Sequence, residues 1–290
     1  MNSSDGAAVV VGVDGSEPAL RAVRLAATEA TRRQRPLRVV HGFIWPLLHV
    51  PLSAPAAGGG LREQAEQIVA AAVAEAETAA PGVHVTGEII DGEAAAVLLG
   101  ETATAAMIVL GDRGLGGFSA LVVGSVAIQV ASYADCPVLV ARGAPRTSGP
   151  VVVGVDGSES STLALGFAAD TAAARGAELL AVNAYRHPTS TGPGDMQPLV
   201  YDEALLHGEE ERVLAKSLAG FADRYPELPV TRQAVRARPG KALTEASRTA
   251  QLVVVGGQGR GEFTGLLLGS VSQSVLHHAD CPVAVVRGPR

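Results

Sequence analysis

Aliphatic and polar positions along this chain follow two spacings that alternate. Unbroken aliphatic runs at 7–13 (AAVVVGV), 37–40 (LRVV), 83–90 (VHVTGEII), 106–110 (AMIVL) and 137–141 (PVLVA) read as buried strands. Between them the spacing becomes helical. Leu61, Ala65, Ile68, Val69, Ala72, Val73 and Ala76 share one face, with Glu63, Glu66, Glu75 and Glu77 mostly elsewhere. Val213, Leu214, Leu218, Phe221 and Tyr225 give the second half the same kind of face. Alternating β and α segments over five strands predict a doubly wound parallel sheet with right-handed crossovers.

The pattern occurs twice. VVVGVDGSE at 9–17 recurs at 151–159, GDRGLGGFSALVVGS at 111–125 is answered by GGQGRGEFTGLLLGS at 256–270, and ADCPVLVARG at 134–143 by ADCPVAVVRG at 279–288. Order is kept along the chain, and so long a period signals duplicated domains, not a solenoid. The Gly/Pro-rich stretch GAPRTSGP at 143–150 is the expected junction. The expected architecture is therefore α/β: two tandem doubly wound domains, 1–146 and 147–290. Each would be a five-stranded parallel sheet in the order 3-2-1-4-5 with helices on both faces.

Composition narrows the chemistry. Of 290 residues, 47% are hydrophobic but only 3% aromatic, so the core must be aliphatic, as strands buried on both faces are. The net charge is −6, and neither half has the basic excess that a phosphate backbone attracts, which argues against nucleic acid. MNSSDG lacks the basic start of a secretory signal and no apolar run reaches membrane-spanning length, so a cytoplasmic protein without a membrane partner is expected. Cys136 and Cys281 each sit in DCPV, which favours a repeated core position over redox chemistry.

The costliest feature is glycine, which loses more backbone freedom on folding than any other residue. A strand runs into each glycine loop, and a helix is expected to start at Gly124-Ser125 and at Gly269-Ser270. A helix N-terminus with glycines before it suits a phosphate. Ser125 and Ser270 could cap those helices or donate to phosphate oxygen. No GK[ST] is present, which excludes a P-loop, and GVDGS lacks the three glycines of a dinucleotide fingerprint. Asp14 and Asp156 follow the first strand of each half. With strands 1 and 4 adjacent they would face Gly111 and Gly256 across the switch-point crevice, placed for ribose hydroxyls. The alternative is that DGS merely turns the chain and caps a helix. The Pro/Gly-rich segments 43–60 and 185–200 would overhang the same edge, as flaps or as inert insertions.

These residues carry a resemblance. G-x2-G-x9-G-[ST] after a first strand ending in VDGS resembles the ATP-binding branch of the universal stress protein family, in its tandem form. The match covers Gly111, Gly114, Gly124, Ser125 and Val126 in one half and Gly256, Gly259, Gly269, Ser270 and Val271 in the other. The resemblance implies ATP with Mg2+: Asp14 or Asp156 near the ribose, adenine against backbone at Gly42 or Ala184, phosphates on the glycine loop. It also implies a homodimer. After GSV the family usually has a small hydroxyl residue, which Ser272 fits and Ala127 does not. Asp112 would repel phosphate where the second loop has Gly257-Gln258, so the second site is expected to be the better formed. His41 has Asn183 as its counterpart, which argues against a shared role, and His277-His278 reads as helix surface and not as metal ligands.

The expected function is a nucleotide-dependent regulator of stress response, with a protein partner in prospect. An enzyme that hydrolyses ATP or transfers a nucleotidyl group is the alternative, and a structural dimer with vestigial sites is a third. Against turnover, the only lysines are Lys216 and Lys241, and Arg113 and Arg260 are the only basic candidates near phosphate. No catalytic arrangement recurs in both halves.

Overall fold

A computed structural model of the chain describes residues 7–44, 57–115, 123–186, 203–259 and 268–288. Two compact units emerge, residues 1–145 with 282–290, and residues 146–281.

The first unit runs β1 (Val9–Gly12), α1 (Glu17–Arg32), β2 (Leu37–Phe43), α2 (Ala57–Ala79), β3 (Val85–Asp91), α3 (Ala94–Glu101), β4 (Met107–Gly111), α4 (Ser125–Tyr133) and β5 (Val138–Ala141). β1 pairs in parallel with both β2 and β4, β2 with β3, and β4 with β5, giving the order β3-β2-β1-β4-β5. α1 and α2 pack together, as do α3 and α4, and α1 and α3 both reach the central strands. The crossovers that follow β1 and β4 therefore lie on opposite faces, which opens a crevice beyond the carboxyl ends of these two strands. Covered on both sides, Val9, Val11, Ile108 and Val109 are completely buried. β10 (Val283–Val286) also belongs to this unit and runs antiparallel to β5, Val283 opposite Val140.

The second unit contains β6 (Val151–Gly154), α5 (Glu159–Arg175), β7 (Leu179–Tyr185), α6 (Glu203–Ser217), α7 (Phe221–Arg224), β8 (Val230–Arg236), α8 (Pro239–Ala246), β9 (Leu252–Gly256) and α9 (Ser270–His278). Its strands repeat the parallel order as β8-β7-β6-β9.

The helical faces depart from expectation at two places. Leu61 is 40% exposed, because α2 first meets the core at Ala65. The second-half face is broken at Gly220, which adopts φ +81° and separates α6 from α7, so only Leu214 of its five residues is fully buried. Residues 45–56 and 187–202, which take in most of the two overhanging segments, lie outside the described residues. No described helix is long and apolar enough to cross a membrane.

Cys136 and Cys281 are buried, and burial pushes both thiols up to about 12. The thiolate is the reactive form, so at pH 8 only on the order of 1 in 10⁴ molecules carries it at either position. Both cysteines should react with an aromatic disulfide reagent at least about 1000-fold more slowly in the native protein than in the unfolded chain. Comparable rates, followed by absorbance of the released thiolate, would contradict their core placement.

Candidate functional site

Two cavities open at the carboxyl edges, about 620 Å³ in the first unit and about 650 Å³ in the second. The first is lined by Asp14, Gly42, Gly111, Arg113, Gly114, Gly124, Ser125 and Val126, all eight expected there. The second is lined by Asp156, Ala184, Gly256, Gly259, Gly269, Ser270, Val271 and Ser272. Sequence reasoning missed the apolar walls: Val40, Ala94 and Leu98 in one, Val182, Pro239 and Leu243 in the other. A signal for them existed, since α3 and α8 start at the same sheet edge directly after β3 and β8.

Within the glycine set the structure separates three roles. A Cβ on Gly111 would lie 2.8 Å from the backbone carbonyl of Pro18, and one on Gly256 2.9 Å from the Ser160 carbonyl carbon. These glycines let each loop press against the first turn of α1 or α5. A Cβ on Gly114 or Gly259 would lie 2.5 or 2.7 Å from a carboxylate oxygen of Asp14 or Asp156. The third pair is different. Gly124 and Gly269 have φ of −62° and −65°, open to any residue, and an added Cβ would meet only ordinary contacts from 3.6 and 3.4 Å outward. Nothing among the described residues demands glycine at 124 or 269, and both face a cavity.

The helix ends sharpen this contrast. Ser16 caps α1 by accepting from Ala19 N at 3.3 Å, and Ser158 caps α5 by accepting from Ser161 N at 3.1 Å. At α4 and α9 the N-cap residue is Gly124 or Gly269, with no side-chain bond to the first turn. Ser125 and Ser270 are the first helical residues, exposed at the cavity, so the capping alternative for these serines is removed. The free N–H groups of a helix start carry a partial positive charge toward whatever lies ahead of them. Each loop is closed at its base by Gly124 N donating to the Asp112 carbonyl, or Gly269 N to that of Gly257, both at 2.8 Å.

Asp14 meets the glycine loop as the topology requires. Its Oδ1 accepts from Ser16 N and its Oδ2 from Leu115 N, both at 3.0 Å. Asp156 Oδ1 accepts from Ser158 N at 2.9 Å and from Ser158 Oγ at 2.6 Å. The turn-forming role and the position at the cavity thus coexist in one residue.

Both reasons for ranking the second site above the first are corrected. Asp112 is buried away from the cavity: Arg21 Nη2 lies 3.1 Å from its carboxylate, Arg113 Nε 3.7 Å and Arg142 Nη1 3.9 Å. Surrounded by three guanidinium groups, it presents no repulsive charge to an anion. The Ser272 hydroxyl donates to the Gly256 carbonyl at 2.6 Å and so braces the end of β9, a bond that Ala127 forgoes without losing any group directed at the cavity. Arg113 lines the first cavity, and its Nε is buried without a hydrogen-bond partner among the described residues. Arg260 lies outside the described residues. His41 Nδ1 pairs with the Val13 carbonyl at 2.7 Å, whereas Asn183 donates to Glu210, so these two positions share no role.

Comparison with known proteins follows the same division. The sequence profile described as the Universal stress protein family matches residues 7–142 and again 148–287. Universal stress proteins of Mycobacterium tuberculosis are similar along their length, one 40% identical over 294 residues with 96% of each chain covered. Another is 37% identical over 306 residues, covering 97% of this chain and 95% of the relative. The crystal structure of a universal stress protein from Archaeoglobus fulgidus DSM 4304 has the same fold, with a TM-score of 0.69 at 20% identity over 97% of this chain and 96% of that one. Matched in both halves and along nearly its whole length, the chain belongs to the universal stress protein family as a tandem of two such domains.

Proposed function

We propose that each half, 1–146 and 147–290, binds one adenine nucleotide, ATP with Mg2+, and that the protein is a cytoplasmic regulator whose partners depend on occupancy. The observation that carries this reading is that α4 and α9 begin at a glycine N-cap facing each cavity, with no side-chain bond to the first turn, whereas α1 and α5, which follow the first strand of each unit, are capped by serine. Phosphates would take the N–H groups at Gly124–Val126 and Gly269–Val271, with Arg113 adding charge in the first site. Asp14 and Asp156 keep acceptor capacity for ribose hydroxyls, since a carboxylate can accept about four hydrogen bonds. The base would lie against the apolar walls, its edge at the backbone of Gly42 or Ala184.

The divalent ion fits only through the nucleotide. Among the described residues no three His, Cys, Asp or Glu side chains converge on a point that would hold it. Mg2+ would therefore be held by phosphate oxygens. Donors of this kind suit binding more than turnover. The first test is to heat-denature the purified protein and run the supernatant on an anion-exchange column. Adenine nucleotide is expected there, or else binding on titration with Mg·ATP; the absence of both contradicts the reading. Sustained hydrolysis above about 1 s⁻¹, the low end of ordinary enzymes, would transfer it to the enzyme alternative.

Asp156→Ala should weaken Mg·ATP binding in the second half by about 1.5–3 kcal/mol, the range for a lost charged hydrogen bond. Because its bonds to Ser158 disappear as well, thermal stability should fall by about 1 kcal/mol. Calorimetry and a melting curve read both effects, and an unaltered Kd would remove Asp156 from the site.

A further inference from the structure

The two cavities differ in the charge beside the glycine loop. Among the described lining residues the charged side chains are Asp14 and Arg113 in the first cavity and Asp156 in the second. Gln258 stands at the place of Arg113. Both side chains are rooted at the helix start. A Cβ on Gly124 would lie 3.6 Å from Arg113 Cα, and one on Gly269 3.5 Å from Gln258 Cα. A cation therefore springs from beside the N–H groups of α4, and a neutral amide from beside those of α9.

Arg113 is held there without being neutralised. Its Nε is buried, lies 3.7 Å from Asp112 and makes no hydrogen bond among the described residues. A buried donor of this kind costs free energy until something pairs with it. Asp112 is shared with Arg21 and Arg142, so three guanidinium groups face one carboxylate and positive charge remains. The cluster is not repeated: Leu163 stands for Arg21, Gly257 for Asp112 and Gln258 for Arg113, and only Arg142 has an arginine, Arg287, as its counterpart. In the second unit Gln258 N donates to Ser160 Oγ at 3.4 Å, where the first unit has Pro18 and no hydroxyl to accept. Yet both loops close with the same 2.8 Å bond at their base, so the loop does not need Arg113 in order to form.

We propose that Arg113 makes the first site select its ligand by phosphate charge, favouring a nucleoside triphosphate over a monophosphate. The proposal rests on the reading that phosphates lie at the start of α4. A single phosphate is satisfied by the fixed N–H groups there. Each further phosphate adds negative charge and acceptor oxygens. A guanidinium meets these with charge-assisted bonds, whereas an amide in its place makes only ordinary ones. Arg113 is thus a specificity-determining residue, and the two halves are not duplicates in what they read.

The test titrates the full chain with ATP and with AMP by calorimetry, without Mg2+, so that the nucleotide carries its own charge. Arg113→Gln installs the residue of the second repeat in an equivalent loop, and an unchanged melting curve checks the fold. In one of the two sites it should weaken ATP at least about tenfold and AMP less than about threefold, because the lost bonds are those to the added phosphates. Arg113→Lys keeps a cation and should retain more of the preference than Arg113→Gln does. Gln258→Arg should tighten ATP in the other site at least about threefold, with AMP little changed. ATP and AMP weakened alike by Arg113→Gln, or both unaltered, overturns the proposal, as does a first site that takes ATP only with Mg2+. A wild type that binds neither nucleotide, with or without Mg2+, overturns the underlying phosphate reading instead, so the two failures are told apart.

Discussion

Gly124→Val and Gly269→Val are expected to abolish nucleotide binding in their own half while leaving the protein folded. At both positions the backbone already has φ and ψ that valine adopts, and an added Cβ meets no atom of the described residues closer than 3.4 Å. The cost to stability should stay within about 1 kcal/mol, since glycine at an N-cap that makes no side-chain bond is replaced by a merely poorer N-cap residue. The added methyl groups enter the cavity at the first N–H groups of α4 or α9 and would hold a phosphate off them. A Kd at least about 100-fold weaker in the altered half follows, because several charge-assisted bonds are lost together. Unchanged affinity with an intact melting curve would mean that the phosphates lie elsewhere.

The opposite outcome is expected for the first glycine of each loop. Gly111→Ala forces a Cβ to within 2.8 Å of the Pro18 carbonyl, and Gly256→Ala one to within 2.9 Å of the Ser160 carbonyl carbon. Backbone cannot swing aside as a side-chain tip can, so the loop or the first turn of the helix must shift. Overpacking of this kind costs about 3 kcal/mol, the upper part of its usual range. For a domain of this size that lowers the melting temperature by roughly 6–12 °C. Calorimetric melting of each variant without nucleotide reads the effect directly. A melt within 1–2 °C of the wild type would show that these glycines serve something other than packing.

That contrast also marks where the sequence stops being legible. Repeats of VVVGVDGSE and the paired glycine loops contained the topology, because aliphatic runs separated by helical spacing admit few chain paths. They also placed Asp14 against the loop that follows β4. What they could not contain is which glycine answers to the fold and which to a ligand. Glycine at 111, 114 and 124 looks alike in one dimension, and its meaning depends on what stands opposite the missing Cβ. Asp112 shows the same limit. Read along the chain it neighbours the phosphate loop, yet its carboxylate is held by Arg21 and Arg142, 91 and 30 residues distant in sequence. Ser272 fits the family's small hydroxyl position after GSV, but only the fold reveals that its hydroxyl is bonded to the Gly256 carbonyl. The apolar walls from α3 and α8 went unnoticed because no polar motif marks them.

The central claim is one adenine-nucleotide site in each half, seated on the uncapped start of α4 or α9. Isothermal titration with Mg·ATP tests it most directly when run on the wild type, on Gly124→Val and on Gly269→Val. Two nucleotides per chain for the wild type and one for each variant are predicted. No binding to the wild type, or two per chain in either variant, would contradict it.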